Sequence, residues 1–218
     1  MDYLTFALPK GKLYGPTTRL LEAAGLGSSE LGDEDSRKLL FVDEEKKLRY
    51  IATRPSDVPT YVEHGAADLG IVGKDVLLED EKKVYELLDL GFGGCHFALA
   101  LPEELAACGL NGRAGLRVAT KFPHVAERHF LGKGKPVEII VLHGAVELAP
   151  IAGLADAIVD IVSTGRTLKE NRLVPIETIA ESTARLIANP VSLRLKRDRI
   201  DPVTQDLRRE AARLAGEL

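Results

Sequence analysis

The sequence predicts an α/β fold of two lobes on three observations. Short apolar strand-like runs alternate with helix-like segments along most of the chain, which is typical of sheets covered by helices on both faces. The length of 218 residues allows one or two domains. A glycine-rich segment, LDLGFGGCHFALALP, links two such alternating regions. We therefore expect lobe I at residues 1–90 plus 180–218 and lobe II at residues 91–179.

The elements of lobe I are predicted from local patterns. Residues 4–8 form a strand candidate, followed by the loop PKGKLYGP and a helix that ends at Gly25. Residues 38–53 carry the runs LLFV and LRYIAT around the charged turn DEEK, which predicts a hairpin. A helix from Pro55 to His64, stopped by Gly65, a buried strand at 67–73 and a helix that starts at 74–79 follow.

The elements of lobe II alternate in the same way. Strands are predicted at 117–120, 137–142 and 157–162, and helices at 123–131 and 145–151. A short helix follows residue 168, and residues 173–182 are predicted to be extended. Residues 182–188 and 202–218 are predicted to be helical and to return the chain to lobe I.

The composition excludes several classes of protein. A net charge of −4 and 45% apolar residues are typical of a globular chain and argue against a nucleic-acid-binding domain. The most apolar stretch, Val137–Val162, contains acidic residues that are costly in hydrocarbon, so it predicts a protein interior and no membrane span. The N-terminus lacks a secretory pattern, which predicts a cytoplasmic protein. Cys95 and Cys108 provide neither a disulfide framework nor a zinc spacing.

The segment DIVSTGRTL at residues 160–168 predicts a phosphate site. Backbone N–H groups in a strand-to-helix turn converge on an anion, and Gly165 permits its close approach. The hydroxyls of the loop and one cation can add donors; these residues are Ser163, Thr164, Thr167 and Arg166. Asp160, at the strand end, can accept hydrogen bonds from ribose hydroxyls or approach magnesium, so the pattern favours a sugar phosphate. A capped helix without a ligand is the alternative.

A longer stretch, ELAPIAGLADAIVDIVSTGRTL at residues 147–168, resembles the signature of the ATP phosphoribosyltransferase family. The similarity extends to ALPKGKLYGPTTRLLEAAG, SRKLLF, ATRPSDVPTYVEHGAADLGIVGKDVLLE and RVATKFPHVAERHF. The resemblance implies two α/β lobes like those of type II periplasmic binding proteins, with the active site in the cleft between them. It also implies the first step of histidine biosynthesis, in which phosphoribosyl pyrophosphate (PRPP) is joined to N1 of ATP and pyrophosphate is released. Mg²⁺ is expected to bind mainly through the substrate, with no metal ligands of the protein assigned.

The resemblance also implies roles for individual residues. The loop from Ser163 to Thr167 would hold the 5-phosphate, and Asp160 with Glu147 would address the ribose hydroxyls or the metal. Four basic residues near predicted strand ends would bind the pyrophosphate, where negative charge grows in the transition state; they are Lys10, Lys12, Arg37 and Arg54. Many family members carry Arg at position 12, whereas Lys12 keeps the charge without the bidentate fork. The nucleotide side would include Gly11, Gly73 and Asp75.

The end of the chain predicts a partner. Long-form members of the family add a C-terminal regulatory domain, but only about one helix follows Leu193 here. The sequence therefore resembles the short form, which works with a separate regulatory subunit related to histidyl-tRNA synthetase. We expect a catalytic dimer within such a hetero-oligomer.

Three other readings stay open at this point. A solute-binding protein of the same architecture would need export, and the sequence shows no signal peptide. The commoner fold of phosphoribosyltransferases acting on other bases carries two adjacent acids before its loop, whereas Ile161 follows Asp160 here. A ligand-sensing domain of a transcription regulator would bring a helix-turn-helix segment, which the sequence does not show.

Overall fold

The computed structural model describes residues 3–28, 30, 31, 38–106, 109 and 115–216. Arg37 and Cys108, both considered above, lie outside the described residues. The chain divides into two compact units, each with its own sheet. Unit 1 comprises Met1–Leu77, Glu81–Gly93 and Thr183–Leu218, and unit 2 comprises Leu78–Asp80 and Gly94–Ser182. The predicted α/β class is confirmed, because strands and helices alternate through both units.

The secondary structure follows the chain in this order. The strands are β1 (Leu4–Pro9), β2 (Leu40–Asp43), β3 (Leu48–Thr53), β4 (Leu69–Gly73), β5 (Tyr85–Asp89), β6 (Cys95–Pro102), β7 (Leu116–Thr120), β8 (Val137–Val141), β9 (Ala157–Val162), β10 (Leu173–Ser182) and β11 (Ala184–Ala188). The helices are α1 (Tyr14–Ala23), α2 (Val58–Glu63), α3 (Lys74–Asp80), α4 (Glu103–Ala106), α5 (Pro123–Gly132), α6 (Leu148–Ile151), α7 (Arg166–Glu170), α8 (Pro190–Leu195) and α9 (Arg197–Ala215). A 3₁₀ turn, Pro55–Asp57, precedes α2. Across the described residues, no helix combines the length and apolarity needed to cross a membrane.

The sheet of unit 1 has the strand order β2-β3-β1-β4-β11-β5. β1 lies between β3 and β4 and is parallel to both, and β2 forms the predicted hairpin with β3. Alternate residues of β1 are buried on opposite faces of the sheet, as expected for a strand covered on both sides. Phe6 packs in the cluster that includes α1 and α9, whereas Ala7 packs with Val58 and Val62 of α2.

A buried polar network ties the C-terminal helices to this sheet. The Asp68 carboxylate, only 4% exposed, accepts hydrogen bonds from the Thr5 N–H (2.8 Å), the Ser192 hydroxyl (2.6 Å) and the Lys196 ammonium (2.9 Å). The Asn189 side chain caps α8 by accepting from the N–H of Ser192 (2.9 Å). These bonds satisfy a carboxylate that would otherwise be costly to bury, and they fix the position of α8 and the start of α9.

One predicted helix is wrong. Residues 184–188 form β11, which pairs with β4 on one side and with β5 on the other, both antiparallel. The run ARLIA is short and apolar, and a buried strand and a buried helix have the same pattern over so few residues. The pairing partners, more than 90 residues away along the chain, decide the outcome.

The last helix begins earlier than predicted. It starts at Arg197 and contains Pro202, which the sequence suggested as its first residue. Ile200, upstream of the proline, is fully buried together with Leu207, and both pack in the core of unit 1. Pro202 cannot donate a backbone hydrogen bond to the preceding turn. Burial of the apolar stripe on both sides of the proline stabilises the helix despite this loss.

The sheet of unit 2 has the strand order β10-β6-β9-β7-β8. β7 is parallel to β8 and β9, whereas β6 is antiparallel to β9 and β10. Val118 and Val159 face α5, where they pack with Phe130. Ala119 and Ile158 lie on the opposite face, in the cluster that includes residues of α6 and α7. This second face positions the candidate site of unit 2.

Candidate functional site

The carboxyl edge of the unit 1 sheet collects most of the predicted basic and glycine positions. Lys10 follows β1, Arg54 follows β3 and Gly73 ends β4, and these three strands are parallel neighbours. The Lys10 N–H donates to the Thr53 carbonyl (2.8 Å), which holds the turn after β1 against the end of β3. Ligand sites of open α/β sheets lie at this edge. The structure therefore brings Lys10, Arg54 and Gly73 together in unit 1.

The loop after β1 presents cations to solvent. Gly11 has φ +84°, a left-handed conformation that turns the chain before α1, and Lys12 is exposed. Arg54 is exposed as well. Within the described part of the chain, no carboxylate oxygen lies within 4.0 Å of the ammonium groups of Lys10 and Lys12 or the guanidinium of Arg54. These three cations are available to bind an anionic ligand.

Gly73 and Asp75 pack directly against each other at the end of β4. A Cβ atom at Gly73 would lie 2.0 Å from Oδ1 of Asp75 and 3.1 Å from its Cγ. Asp75 lies in the first turn of α3, and its carboxylate lies over the glycine. The absence of a side chain at position 73 therefore permits this orientation of the Asp75 carboxylate.

The predicted phosphate loop lies at the carboxyl edge of the unit 2 sheet. β9 ends at Val162, and the exposed Ser163 and Thr164 lead to Gly165, whose φ of +72° is left-handed. Helix α7 begins at Arg166 and has only five residues, so anion binding here would depend on loop N–H groups and hydroxyls more than on a helix dipole. Thr167, also predicted to bind phosphate, is exposed in its first turn.

Arg166 is oriented along its own helix. Its Nε donates to Oε1 of Glu170 at 2.8 Å, and both side chains are exposed. This is an ordinary pair at (i, i+4) spacing. The predicted cation of the loop is therefore already paired.

Asp160 and Glu147 are brought together beside this loop. Asp160 lies on the same face of β9 as Ile158, the face that α6 covers, and Glu147 immediately precedes α6. The Asp160 carboxylate is partly buried and accepts a hydrogen bond from the N–H of Ile161 (2.8 Å).

The surroundings of Asp160 raise the pKa of its carboxyl above the ordinary value of 3.8. Burial is the largest cause, because it disfavours the charged form. The hydrogen bond from Ile161 lowers this pKa, the negative charge of Glu147 raises it, and the positive charge of Lys121 lowers it. The Asp160 carboxylate therefore occupies a site that disfavours its negative charge, and a cation or a hydrogen-bonding ligand would stabilise that charge.

Lys121 is a residue that the sequence reasoning did not single out. It follows β7 directly and is exposed at the carboxyl edge that also carries the phosphate loop. A signal was available in the sequence, since Lys121 directly follows the predicted strand 117–120 and Lys10 was likewise noted near the end of a predicted strand.

The donors present fit a magnesium ion held largely by its substrate. Among the described residues, no group of three or more His, Cys, Asp or Glu side chains is placed to hold a metal. Mg²⁺ is usually bound through one or two carboxylates together with substrate phosphates and water. The pair Asp160 and Glu147 provides that number of carboxylates.

A cavity of about 680 Å³ in unit 2 lies away from these residues. It is at the opposite edge of the sheet, between Arg117, the second residue of β7, and Pro102, the last residue of β6. Arg117 pairs there with Asp156 (3.2 Å). The cavity contains none of the predicted site residues that the structure describes.

The chain is similar to known ATP phosphoribosyltransferases over most of its length. The family model of HisG, described as ATP phosphoribosyltransferase, matches residues 54–209. The ATP phosphoribosyltransferase of Moorella thermoacetica is 56% identical over 215 residues, covering 96% of this chain and 94% of the relative. That of Symbiobacterium thermophilum is 52% identical over 216 residues, covering 99% and 98%.

Solved structures are similar as well. The ATP phosphoribosyl transferase (HisG:HisZ) complex from Thermotoga maritima has a chain with a TM-score of 0.80 and 37% identity, covering 96% of this chain and 99% of that one. A histidine kinase sensor domain with similarity to periplasmic binding proteins has a TM-score of 0.56 at 13% identity, covering 99% and 91%. This second likeness concerns the fold alone, and it confirms the predicted resemblance to periplasmic binding proteins.

Proposed function

This chain belongs to the ATP phosphoribosyltransferase family, and we propose that its two groups of site residues divide the two substrates of that reaction between them. The enzyme transfers the phosphoribosyl group of PRPP to N1 of ATP, releasing pyrophosphate, as the first step of histidine biosynthesis. The unit 1 residues would bind ATP and the pyrophosphate, and the unit 2 residues would bind the phosphoribosyl group. The observation that carries this division is the distribution of charge: unit 1 presents cations that have no carboxylate partner among the described residues, and unit 2 presents a carboxylate pair beside a hydroxyl loop.

The cations of unit 1 suit the leaving group. N1 of adenine attacks C1 of the ribose while the bond from C1 to the pyrophosphate oxygen breaks, so negative charge grows on the leaving oxygens. Lys10, Lys12 and Arg54 have no carboxylate partner among the described residues, so they can engage that charge without first breaking an ion pair. Preorganised cations of this kind stabilise the transition state more than the ground state. Arg37 keeps the same proposed role from the family resemblance alone.

The unit 2 residues suit the sugar phosphate. Ser163, Thr164 and the N–H groups around Gly165 would donate to the 5-phosphate, and the ionised carboxylates of Asp160 and Glu147 would accept from the ribose hydroxyls. The hydroxyls of Ser163 and Thr164 make no hydrogen bond inside the described ranges, so their donors are free for a ligand.

Metal dependence follows from the same site. Enzymes of this family generally need a divalent metal ion, and we assign Mg²⁺ bound mainly through PRPP, with Asp160 and Glu147 as the protein's contribution. When bound, the ion would neutralise part of the pyrophosphate charge. The two carboxylates would hold the ribose in place beside it.

We also propose a regulatory partner. The similar chain from Thermotoga maritima belongs to a HisG:HisZ complex, and 99% of that chain is covered by the alignment. By this similarity, the present chain would form a catalytic dimer and assemble with a HisZ-type subunit related to histidyl-tRNA synthetase.

The assay of the whole reaction tests this function. Purified protein is mixed with ATP, PRPP and Mg²⁺, and formation of the N1-ribosylated adenine is followed by its absorbance. We expect turnover that increases on addition of the regulatory subunit and stops when the metal is chelated. Absence of turnover both with and without that subunit would contradict the proposal.

The nucleotide side can be tested at Gly73. Gly73→Ala places a methyl group where the Asp75 carboxylate now lies, so that carboxylate must rotate away. If the Asp75 carboxylate accepts a hydrogen bond from ATP, as proposed, the loss of that bond predicts a rise of about tenfold in KM for ATP. The Kd for PRPP should not change. Steady-state kinetics and calorimetry measure the two quantities.

Gly132→Ala is the matched control for Gly73→Ala. A Cβ at Gly132 meets no atom within 4 Å, and its φ is not left-handed. This control should leave both constants unchanged. If Gly73→Ala also leaves KM for ATP unchanged, the assignment of Gly73 and Asp75 to the nucleotide is wrong.

A further inference from the structure

We propose that Lys121 is a further substrate-binding residue, whose ammonium group contacts a phosphate of PRPP bound at unit 2. This inference rests on the proposed function, because it takes unit 2 to be the PRPP side.

The register of the sheet places Lys121 beside Asp160. β7 and β9 are parallel, with Ala119 opposite Ile158 and Thr120 opposite Val159; β7 ends there, and one further step of this register leads to Lys121 and Asp160. Ala119 and Ile158 share the face that α6 and α7 cover. Asp160, two residues further along β9, lies on that same face, and Lys121 directly follows the end of β7. Lys121 therefore lies at the end of the strand next to that of Asp160, at the carboxyl edge of the sheet.

The proximity has an electrostatic counterpart. Burial raises the pKa of the Asp160 carboxyl most, and of the two nearby charges Glu147 raises this pKa whereas Lys121 lowers it. The positive charge of Lys121 is thus felt at Asp160. No carboxylate oxygen approaches its ammonium group within 4.0 Å in the part of the chain that the structure describes, so the cation is held near the acid without being neutralised by it.

The charge balance of the site calls for such a cation. PRPP carries several negative charges, yet the sugar side of the site offers two carboxylates, Asp160 and Glu147, and a loop whose own cation, Arg166, is bound to Glu170. Lys121 is exposed at the same edge of the sheet, so a ligand there can reach its ammonium group. A flexible lysine can serve as a point charge for phosphate in this position.

Calorimetric titration with PRPP and Mg²⁺ tests the contact. Lys121→Met should raise Kd by about tenfold to a hundredfold, the usual cost of a lost hydrogen bond to a charged group. Lys121→Arg, which keeps the charge, should lose less. Lys135→Met removes an exposed lysine that precedes β8, at the other edge of the same sheet, and should keep the wild-type Kd. A wild-type Kd for Lys121→Met would overturn the proposal.

Ribose 5-phosphate as the probe identifies which phosphate is bound. If Lys121→Met weakens its binding as much as that of PRPP, the contact is with the 5-phosphate. If only PRPP binding is weakened, the contact is with the pyrophosphate. Either result supports the proposal and identifies which phosphate group of PRPP Lys121 contacts.

A second variant background separates a direct contact from an indirect one. In the Asp160→Asn protein, Lys121→Met should still weaken PRPP binding by a similar factor. If its effect disappears in that background, Lys121 acts only through the charge of Asp160 and the proposed contact is wrong. A wild-type protein that binds no PRPP would instead contradict the proposed function, and this inference with it.

Discussion

Asp160→Asn is expected to raise the Kd for PRPP by roughly 30-fold to 150-fold, because a neutral amide replaces the carboxylate proposed to accept the ribose hydroxyls (about 2–3 kcal/mol). The same substitution should increase the free energy of unfolding of the ligand-free protein at pH 7. Calorimetry with PRPP and urea unfolding of the free protein measure the two effects.

The sign of the stability effect follows from the pKa of Asp160. The folded protein raises this pKa above its ordinary value of 3.8, chiefly by burial, so the folded state disfavours the ionised form. The stability that a raised pKa contributes is present in full below the unfolded pKa and is lost as the pH rises through the folded pKa. At pH 7 the ionised carboxylate therefore destabilises the fold, and Asn removes that cost while its amide oxygen can still accept from Ile161.

The opposite signs make this variant informative. A folding defect would weaken binding and stability together, whereas a functional carboxylate predicts weaker binding in a more stable protein. Glu127→Gln, an exposed position on α5, is the control and should change neither quantity. Wild-type affinity for PRPP in Asp160→Asn would show that the ribose does not bind at this residue.

Asp68→Ala should lower the free energy of unfolding by about 3 kcal/mol, the largest stability loss that we predict for a single side chain. The substitution removes the acceptor of three hydrogen bonds, from Thr5, Ser192 and Lys196, and leaves their donors partly buried. We choose the lower end of the usual range because the Lys196 side chain is 26% exposed and water can reach it. The midpoint of urea unfolding, followed by circular dichroism, measures the loss.

Asp201→Ala is the matched control for Asp68→Ala. Asp201 pairs with Arg197 at 3.1 Å on the surface of α9, where the side chains are 49% and 75% exposed. Such an exposed pair contributes about 0.5 kcal/mol or less. A loss in Asp68→Ala no larger than in this control would mean that the network around Asp68 does not anchor the C-terminal helices.

The local sequence pattern was sufficient to predict most helices and strands of the fold. It was insufficient where pairing with distant strands determines the secondary structure. β9 and β10 have the predicted bounds, and the apolar run of β9 is closed by Ser163, Thr164 and Gly165, residues that favour turns. The run that became β11 carries no such information: Leu186 and Ile187 are buried in either conformation, and only pairing with β4 and β5 selects the strand. Pairing over more than 90 residues leaves no trace in a local pattern.

The candidate site shows a similar limit. Asp160 was predicted from its position at a strand end, and Lys10 and Arg54 from the family resemblance together with their positions near strand ends; the structure places each at a carboxyl edge. Lys121 has the same position in the sequence, but its significance depends on the register that sets it beside Asp160. The ion pair of Arg166 with Glu170 is likewise a matter of side-chain orientation, which residue spacing alone permits but does not require.

The placement of β11 in the interior of the unit 1 sheet bears on the order in which the protein folds during synthesis. Apart from the three residues Leu78–Asp80, unit 2 is one continuous segment, Gly94–Ser182, so all of its strands are synthesised before β11. β4 and β5 meet only through β11, which means that the first 93 residues cannot complete their sheet until residue 188 is available. Unit 2, whose main segment comes later in the chain, would thus have all of its strands available first. Unit 1, which begins at the N-terminus, would complete its sheet last.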